Sequence, residues 1–300
     1  MSKISSMLGT LVIFLIAALL ISSYFKMEGF DVGKKIPVVE IKGLITYDGS
    51  SSFLMQATSS KEIIKQLGKY EADESVKGVI LEINSNGGTV VASKSLADAV
   101  SRMQKPVVAV VGESAASGAY WVAAASDAIV ADELSMVGSV GVLGSYLQFS
   151  GLMDKYGVEY ERVVAGKYKD VGSPFKELTD DEEKMLQGKV DMIQDTFSEE
   201  IANYRHLNYG VKERIATGEF FLGKEAISLG LVDELGGMGN ALNITRGLAN
   251  DTDAQLYFKP EPSRFFDKLL GFSSQASYYF GRGFGREFLA SGENGLEIRA

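Results

Sequence analysis

The 300-residue chain has no cysteine and a single histidine, His206. Without cysteine there is no disulfide, no thiolate nucleophile and no Cys-ligated zinc site. His206 lies in "NYRHLNYG", at the end of a charged stretch, and reads as a solvent-facing residue. Positive charge is scarce too. Thirty Lys and Arg against 39 Asp and Glu leave a formal net charge of -9, with no basic stripe, which argues against a nucleic-acid partner. Usable phosphate loops are missing. "GRGFG" near the C-terminus does not complete G-x-G-x-x-G, and "GEFFLGKE" (Gly218 to Glu225) has Glu225 where a P-loop needs Ser or Thr. No repeat of solenoid type occurs. Neither a cofactor nor a metal is expected.

What the chain does have is apolar content, 46% hydrophobic with 23% charged residues, enough for a globular body with a sizeable core. From Ile4 to Phe25 no charged residue interrupts "ISSMLGTLVIFLIAALLISSYF". At about 1.5 Å per residue, a helix of this length crosses a hydrocarbon core of roughly 30 Å. It ends without a clean A-x-A-like cleavage site, so an uncleaved anchor in a lipid bilayer is expected. Lys26, Lys34 and Lys35 on its C-terminal side lean slightly toward a cytoplasmic body.

Beyond a short linker the chain alternates strand-like and amphipathic segments. "IPVVEIKGLI", "VKGVILEIN" and "PVVAVV" read as strands, and "AIVAD", "SVGVLG" and "EYERVVAG" as shorter ones. "SKEIIKQLGKYEAD", the stretch after Gly87 and Gly88, "GAYWVAAAS" and a long segment from Asp180 to Tyr204 read as helices, as do "KEAISLGLVDELGG" and "GNALNITRGLAN". Repeated strand–helix–strand units predict an α/β domain with a mostly parallel sheet. The expected division is an anchor and linker over 1–35, one domain over 36–259 and a Gly-, Ser- and aromatic-rich extension over 260–300.

Three segments carry candidate chemistry. In "EINSNGGTV", Gly87 and Gly88 follow a buried strand, where glycine lets backbone N–H groups face a ligand. One such donor at a developing oxyanion is worth about 3–4 kcal/mol. A tight strand-to-helix turn explains the same glycines without chemistry. In "GESAASGAYW", Ser114 or Ser117 is either a helix N-cap or a nucleophile, at a site with room beside it because Ala115, Ala116 and Ala119 are small. The G-x-S-x-G elbow of α/β-hydrolases is absent. A nucleophilic serine here needs a base other than histidine. A lysine serves if its pKa is lowered, and "AGKYKDVGSPFKEL" offers Lys167, Lys169 and Lys176, among which spacing does not choose.

In order, "INSNGG", "ESAASGAYW", "VGSVGV", "GKYKDVGSP" and "GLVDELGG" resemble the short, membrane-anchored form of the signal peptide peptidase A family, over about Ile36 to Leu248. The resemblance implies an α/β fold of Clp-protease/crotonase-like repeated ββα units, preceded by one N-terminal transmembrane helix through residues 4–25. It implies a serine endopeptidase with Ser117 as nucleophile, Lys169 as general base and Ser139 as the hydroxyl that holds the lysine. Backbone N–H groups of Gly87 or Gly88, and of Gly118, match the family's oxyanion hole. It also implies apolar peptide substrates, a homo-oligomeric ring in which serine and lysine can come from neighbouring subunits or from one, and a catalytic body outside the cytoplasm of a bacterial-type cell. Where the family commonly has proline, this chain has Asn86, and "IATGEFFLGKEA" keeps only part of the family's Gly-Arg pattern. A Ser–Lys pair needs a neutral lysine, so Asp170 is expected to point away from Lys169. The competing readings are a crotonase-like acyl-CoA enzyme, disfavoured by the missing phosphate site, and a membrane-tethered scaffold without activity.

Overall fold

Alternating side chains on three neighbouring strands sort into two separate cores. Val79, Leu81 and Ile83 of one strand, with Val107, Ala109 and Val111 of the next, face one side; Ile80, Val108 and Val110 face the other. That period of two, with both faces apolar, is the mark of a parallel sheet covered on both sides. The computed structural model describes residues 33–49 and 57–259, and a compact unit spans Val32–Phe258.

In chain order the elements are β1 (Lys35–Lys42), β2 (Leu44–Thr46), β3 (Ala57–Ser59), α1 (Ser60–Ala72), β4 (Val79–Ser85), α2 (Val90–Ser101) and β5 (Val107–Ala116). There follow α3 (Gly118–Ala124), β6 (Ala128–Ala131), β7 (Met136–Gly138), α4 (Ser150–Lys155), α5 (Asp180–Tyr204) and α6 (Tyr209–Ile215). The described chain closes with β8 (Phe220–Leu222), α7 (Gly223–Ala226), β9 (Glu234–Leu235), α8 (Met238–Leu248) and β10 (Gln255–Phe258). The main sheet runs β10-β1-β4-β5-β6-β9, with every pairing parallel. Past the end of β6, the upper part of β5 pairs instead with β7, and β7 takes β8 antiparallel. This is the mixed α/β architecture expected from the strand–helix alternation.

Helices α1, α2, α3 and α5 cover the larger core, and α8 covers the smaller one. Helix α5 starts on a capping box: the Thr179 hydroxyl accepts the Glu182 N–H and the Glu182 carboxylate accepts the Thr179 N–H. Four acidic residues in its first turn suit the positive end of the helix dipole.

Several local expectations are corrected. "SVGVLG" (139–144) is not a strand; β7 ends at Gly138 because Ser139 takes a positive φ of 51°. "EYERVVAG" (159–166) forms no strand and pairs with none of the described strands. "KEAISLGLVDELGG" is a four-residue helix, a 3₁₀ turn over Ile227–Leu229 and the strand β9 rather than one helix, because Gly230 turns left-handed with φ 76°. The proposed membrane segment 4–25 and the extension 260–300 lie outside the described residues. Among the described residues no helix is long and apolar enough to cross a membrane.

Candidate active site

Strand β5 runs from Val107 to Ala116, buried except at Gly112 and Glu113, and α3 begins two residues later at Gly118. Ser117 joins them at φ 52° and ψ -129°, a backbone conformation that costs a non-glycine residue roughly 1–3 kcal/mol. The strain is held from both sides. The Ser117 N–H donates to the Gly138 carbonyl at 2.8 Å, and the Ser117 carbonyl accepts from Tyr120 and Trp121 of α3. Helix α3 is itself wholly buried, and the Tyr120 hydroxyl donates to the Leu231 carbonyl at 2.8 Å. Ser117 occupies the N-cap position, yet its hydroxyl makes no capping bond. The half-buried hydroxyl is therefore left for another partner. Although the sequence lacks G-x-S-x-G, its backbone makes a strained strand–serine–helix turn of the same kind.

Ser114 is placed differently. It sits inside β5, buried, and its hydroxyl donates to the Asn86 side-chain oxygen at 2.7 Å. That contact ties β5 to the Gly87–Gly88 turn at the position where the resemblance leads one to expect proline.

The two glycines have separate tasks. Gly87 has φ 98°; its N–H donates to the Ser85 hydroxyl at 3.1 Å and its carbonyl accepts the Ile45 N–H at 2.9 Å. Its amide is spent inside the turn. A Cβ there would meet the Gly118 nitrogen at 2.8 Å and the Ser117 Cβ at 3.0 Å, so the turn presses directly on the serine. The amide of Gly88 has no acceptor among the described residues, and neither has that of Gly118 at the first turn of α3. The two residues lie side by side: a Cβ on Gly118 would stand 3.4 Å from the Gly88 nitrogen. Of the two glycines left open by the sequence, Gly88 is the one with a free donor.

Ser117, Gly88 and Gly118 line one cavity of about 280 Å³. Its remaining wall is mostly apolar, from Leu44, Val90, Val142, Leu143, Ile193 and the stacked pair Trp121–Phe197, whose rings lie 4.3 Å apart. Trp121 is fixed from behind, because its Nε1–H donates to Glu200 at 2.9 Å and Glu200 pairs with Lys94 at 2.8 Å. Gly87 faces an adjoining groove with Asn84, Glu113 and Met136. Sequence reasoning missed this wall. Trp121 and Phe197 are far apart in the chain, and only the helix crossing of α3 and α5 joins them.

The lysines lie elsewhere. Lys169 is exposed on an irregular segment, is absent from the cavity wall, and makes no hydrogen bond to Ser117 or Ser139. Its neighbours in sequence are engaged: Lys167 pairs with Asp181 at 2.6 Å, which raises its pKa, and Lys176 pairs with Glu182 at 2.7 Å. Asp170 faces Arg162, whose guanidinium holds the carboxyl below the usual carboxylate range. Lys169 thus has no ion-pair partner among the described residues. Ser139 follows Gly138, whose carbonyl receives the Ser117 N–H; it is half-buried, and its hydroxyl makes no hydrogen bond among the described residues. Within one subunit the fold brings together Ser117, Gly88 and Gly118, with Ser139 one residue from the Ser117 contact. It does not bring Lys169 to them. His206 is exposed at the end of α5.

Fold and turn together define a Clp-protease-like α/β protein, and the model of the Clp protease family matches residues 52–131. The model of peptidase family S49 matches residues 99–251. A chain of Methanocaldococcus jannaschii named as a protease, MJ0651, is 37% identical over 297 residues, covering 95% of this chain and 94% of that one. A chain of Enterococcus faecium named as signal peptide peptidase SppA is 33% identical over 243 residues, 79% of this chain and 71% of that one. Protease 4 of Haemophilus influenzae is 32% identical over 228 residues, 75% of this chain and 36% of that one. The chain belongs to peptidase family S49, the family of signal peptide peptidase A, and its activity is that of a protease.

Proposed function

We propose that the protein is a serine endopeptidase in which Ser117 attacks a peptide carbonyl and Lys169 of a neighbouring copy serves as general base. The observation that carries this reading is the uncapped Ser117 hydroxyl beside two neighbouring, unengaged amides in the wall of an apolar cavity. Ser117 Oγ bonds to the carbonyl carbon as its proton passes to the Lys169 amine. The carbonyl oxygen, now negative, takes hydrogen bonds from Gly88 and Gly118 N–H. The C–N bond then breaks, and the leaving amine receives the proton from Lys169. Water, deprotonated by the same amine, releases the acyl group from Ser117. Ser139 orients Lys169 when the subunits meet.

Assembly between copies is supported by the exposure of Lys169 and of the apolar residues around it, and by the match to the Clp protease family. The apolar wall suits extended apolar peptides such as signal-peptide remnants or misfolded membrane proteins. Residues 4–25 anchor the protein in the bilayer, with the body outside the cytoplasm.

The test uses the full-length chain with fluorogenic apolar peptides and a fluorophosphonate that labels activated serines. Wild type should cleave and be labelled at Ser117. Ser117→Ala should lose both, and Lys169→Ala should lose cleavage with its oligomer size unchanged. Cleavage surviving Ser117→Ala would overturn the reading and move attention to Ser114.

A further inference from the structure

One wall of the cavity carries a polar atom that the reaction above does not use. Ser93, on α2, is 1% exposed, lines the cavity with Ser117, Gly118 and Trp121, and its hydroxyl has no hydrogen-bond partner. A helical serine ordinarily returns such a proton to the carbonyl four residues back. Here that carbonyl, of Thr89, accepts only the Ser93 N–H, at 3.0 Å. The hydroxyl lies instead against the nucleophile turn: a Cβ added at Gly118 would stand 2.2 Å from Ser93 Oγ. Burying a hydroxyl without a partner is unfavourable, and a ligand group that supplies the missing bond is selected over one of equal shape that does not.

The same wall is otherwise mostly apolar; its other polar side chains are Asn86, whose oxygen takes the Ser114 hydroxyl, and Ser117 itself, and the Trp121 N–H is committed to Glu200. We propose that Ser93 is a specificity-determining residue whose hydroxyl pairs with a hydroxyl on the side chain entering the cavity. The peptidase then favours Thr over Val, and Ser over Ala, at the residue that donates the attacked carbonyl. The proposal rests on the peptidase reading and adds to it the class of side chain recognised beside the scissile bond.

Thr and Val have nearly the same shape, so comparing them removes size from the question. Full-length wild type and Ser93→Ala are assayed on two pairs of fluorogenic peptides that differ only at that residue, Thr against Val and Ser against Ala. Thermal melting and fluorophosphonate labelling of Ser117 serve as controls for folding and for the nucleophile. In wild type the ratio of kcat/KM should favour the hydroxyl-bearing peptide roughly three- to tenfold, the worth of one neutral hydrogen bond. In Ser93→Ala the ratio should fall to about one, with a melting temperature equal to or above that of wild type. A preference that survives Ser93→Ala, or a wild type that prefers Val, overturns the role of Ser93 and leaves the peptidase standing. A wild type that cleaves none of the peptides and takes no label overturns the peptidase reading, and this inference with it.

Discussion

The nucleophile turn and the lysine segment belong to one proposed site, yet the fold treats them in opposite ways. Strand β5 lies between two cores, and every residue of α3 is buried, most of them in the larger. Residues 143–176 contain only the six-residue α4 as regular structure and leave large apolar side chains in the open. Leu143 is 87% exposed, Leu147 73%, Tyr156 71% and Val163 fully exposed. A protein that works alone rarely keeps so much apolar surface uncovered in one stretch. On the proposed reading, folding of a single subunit completes the nucleophile and oxyanion-stabilising half of the site, while the lysine half awaits another copy.

The sharpest way to break this comparison is subunit mixing. Ser117→Ala and Lys169→Ala should each lower kcat/KM by at least about 10³-fold when expressed separately, as loss of a nucleophile or its base does in other serine enzymes. Co-expressed in one oligomer, they should regain a measurable part of the activity, because a wild-type Lys169 then faces a wild-type Ser117. No recovery in demonstrably mixed oligomers would place the dyad inside one subunit.

Stability separates the regions next. Ile83 is fully buried in β4, and Ile83→Ala should cost about 2–5 kcal/mol in urea denaturation. Val163→Asp, on the exposed segment, should stay within about 0.5 kcal/mol while shrinking the oligomer in sedimentation velocity. An oligomer unchanged by Val163→Asp would show that this surface has another purpose.

The smallest effect concerns pH. Arg162 holds Asp170 in its ionised form, turned toward the guanidinium. In Arg162→Ala that partner is lost, and the Asp170 carboxyl should titrate closer to the ordinary carboxylate range when followed by NMR. An unmoved titration would mean that the guanidinium is not what holds the carboxylate ionised.

Regular elements were legible where burial imposes a period. Alternation in β4 and β5 and the acid-headed start of α5 at Asp180 are written in consecutive residues. "SVGVLG" and "EYERVVAG" have the composition of strands, but composition does not decide pairing: the first breaks at the positive φ of Ser139 and the second pairs with no described strand. The same limit applied to the site. The serines and glycines were visible as candidates, but the choice between Gly87 and Gly88 depended on Ser85, which captures the Gly87 amide. Of the three lysines, Asp181 and Glu182 on the next helix engage two, pairings that no spacing in the sequence shows.

By itself, then, the sequence determined the class of molecule. Apolar runs of fixed period, glycines after buried strands, and the lack of cysteine and of any well-placed histidine follow from composition and order alone, and they bound both fold and chemistry. Tertiary structure decided which donor is free, which hydroxyl is strained into the open and which is buried without a partner. Those properties depend on groups distant in the chain competing for the same hydrogen bonds, and that competition exists only once the strands have paired and the helices have packed.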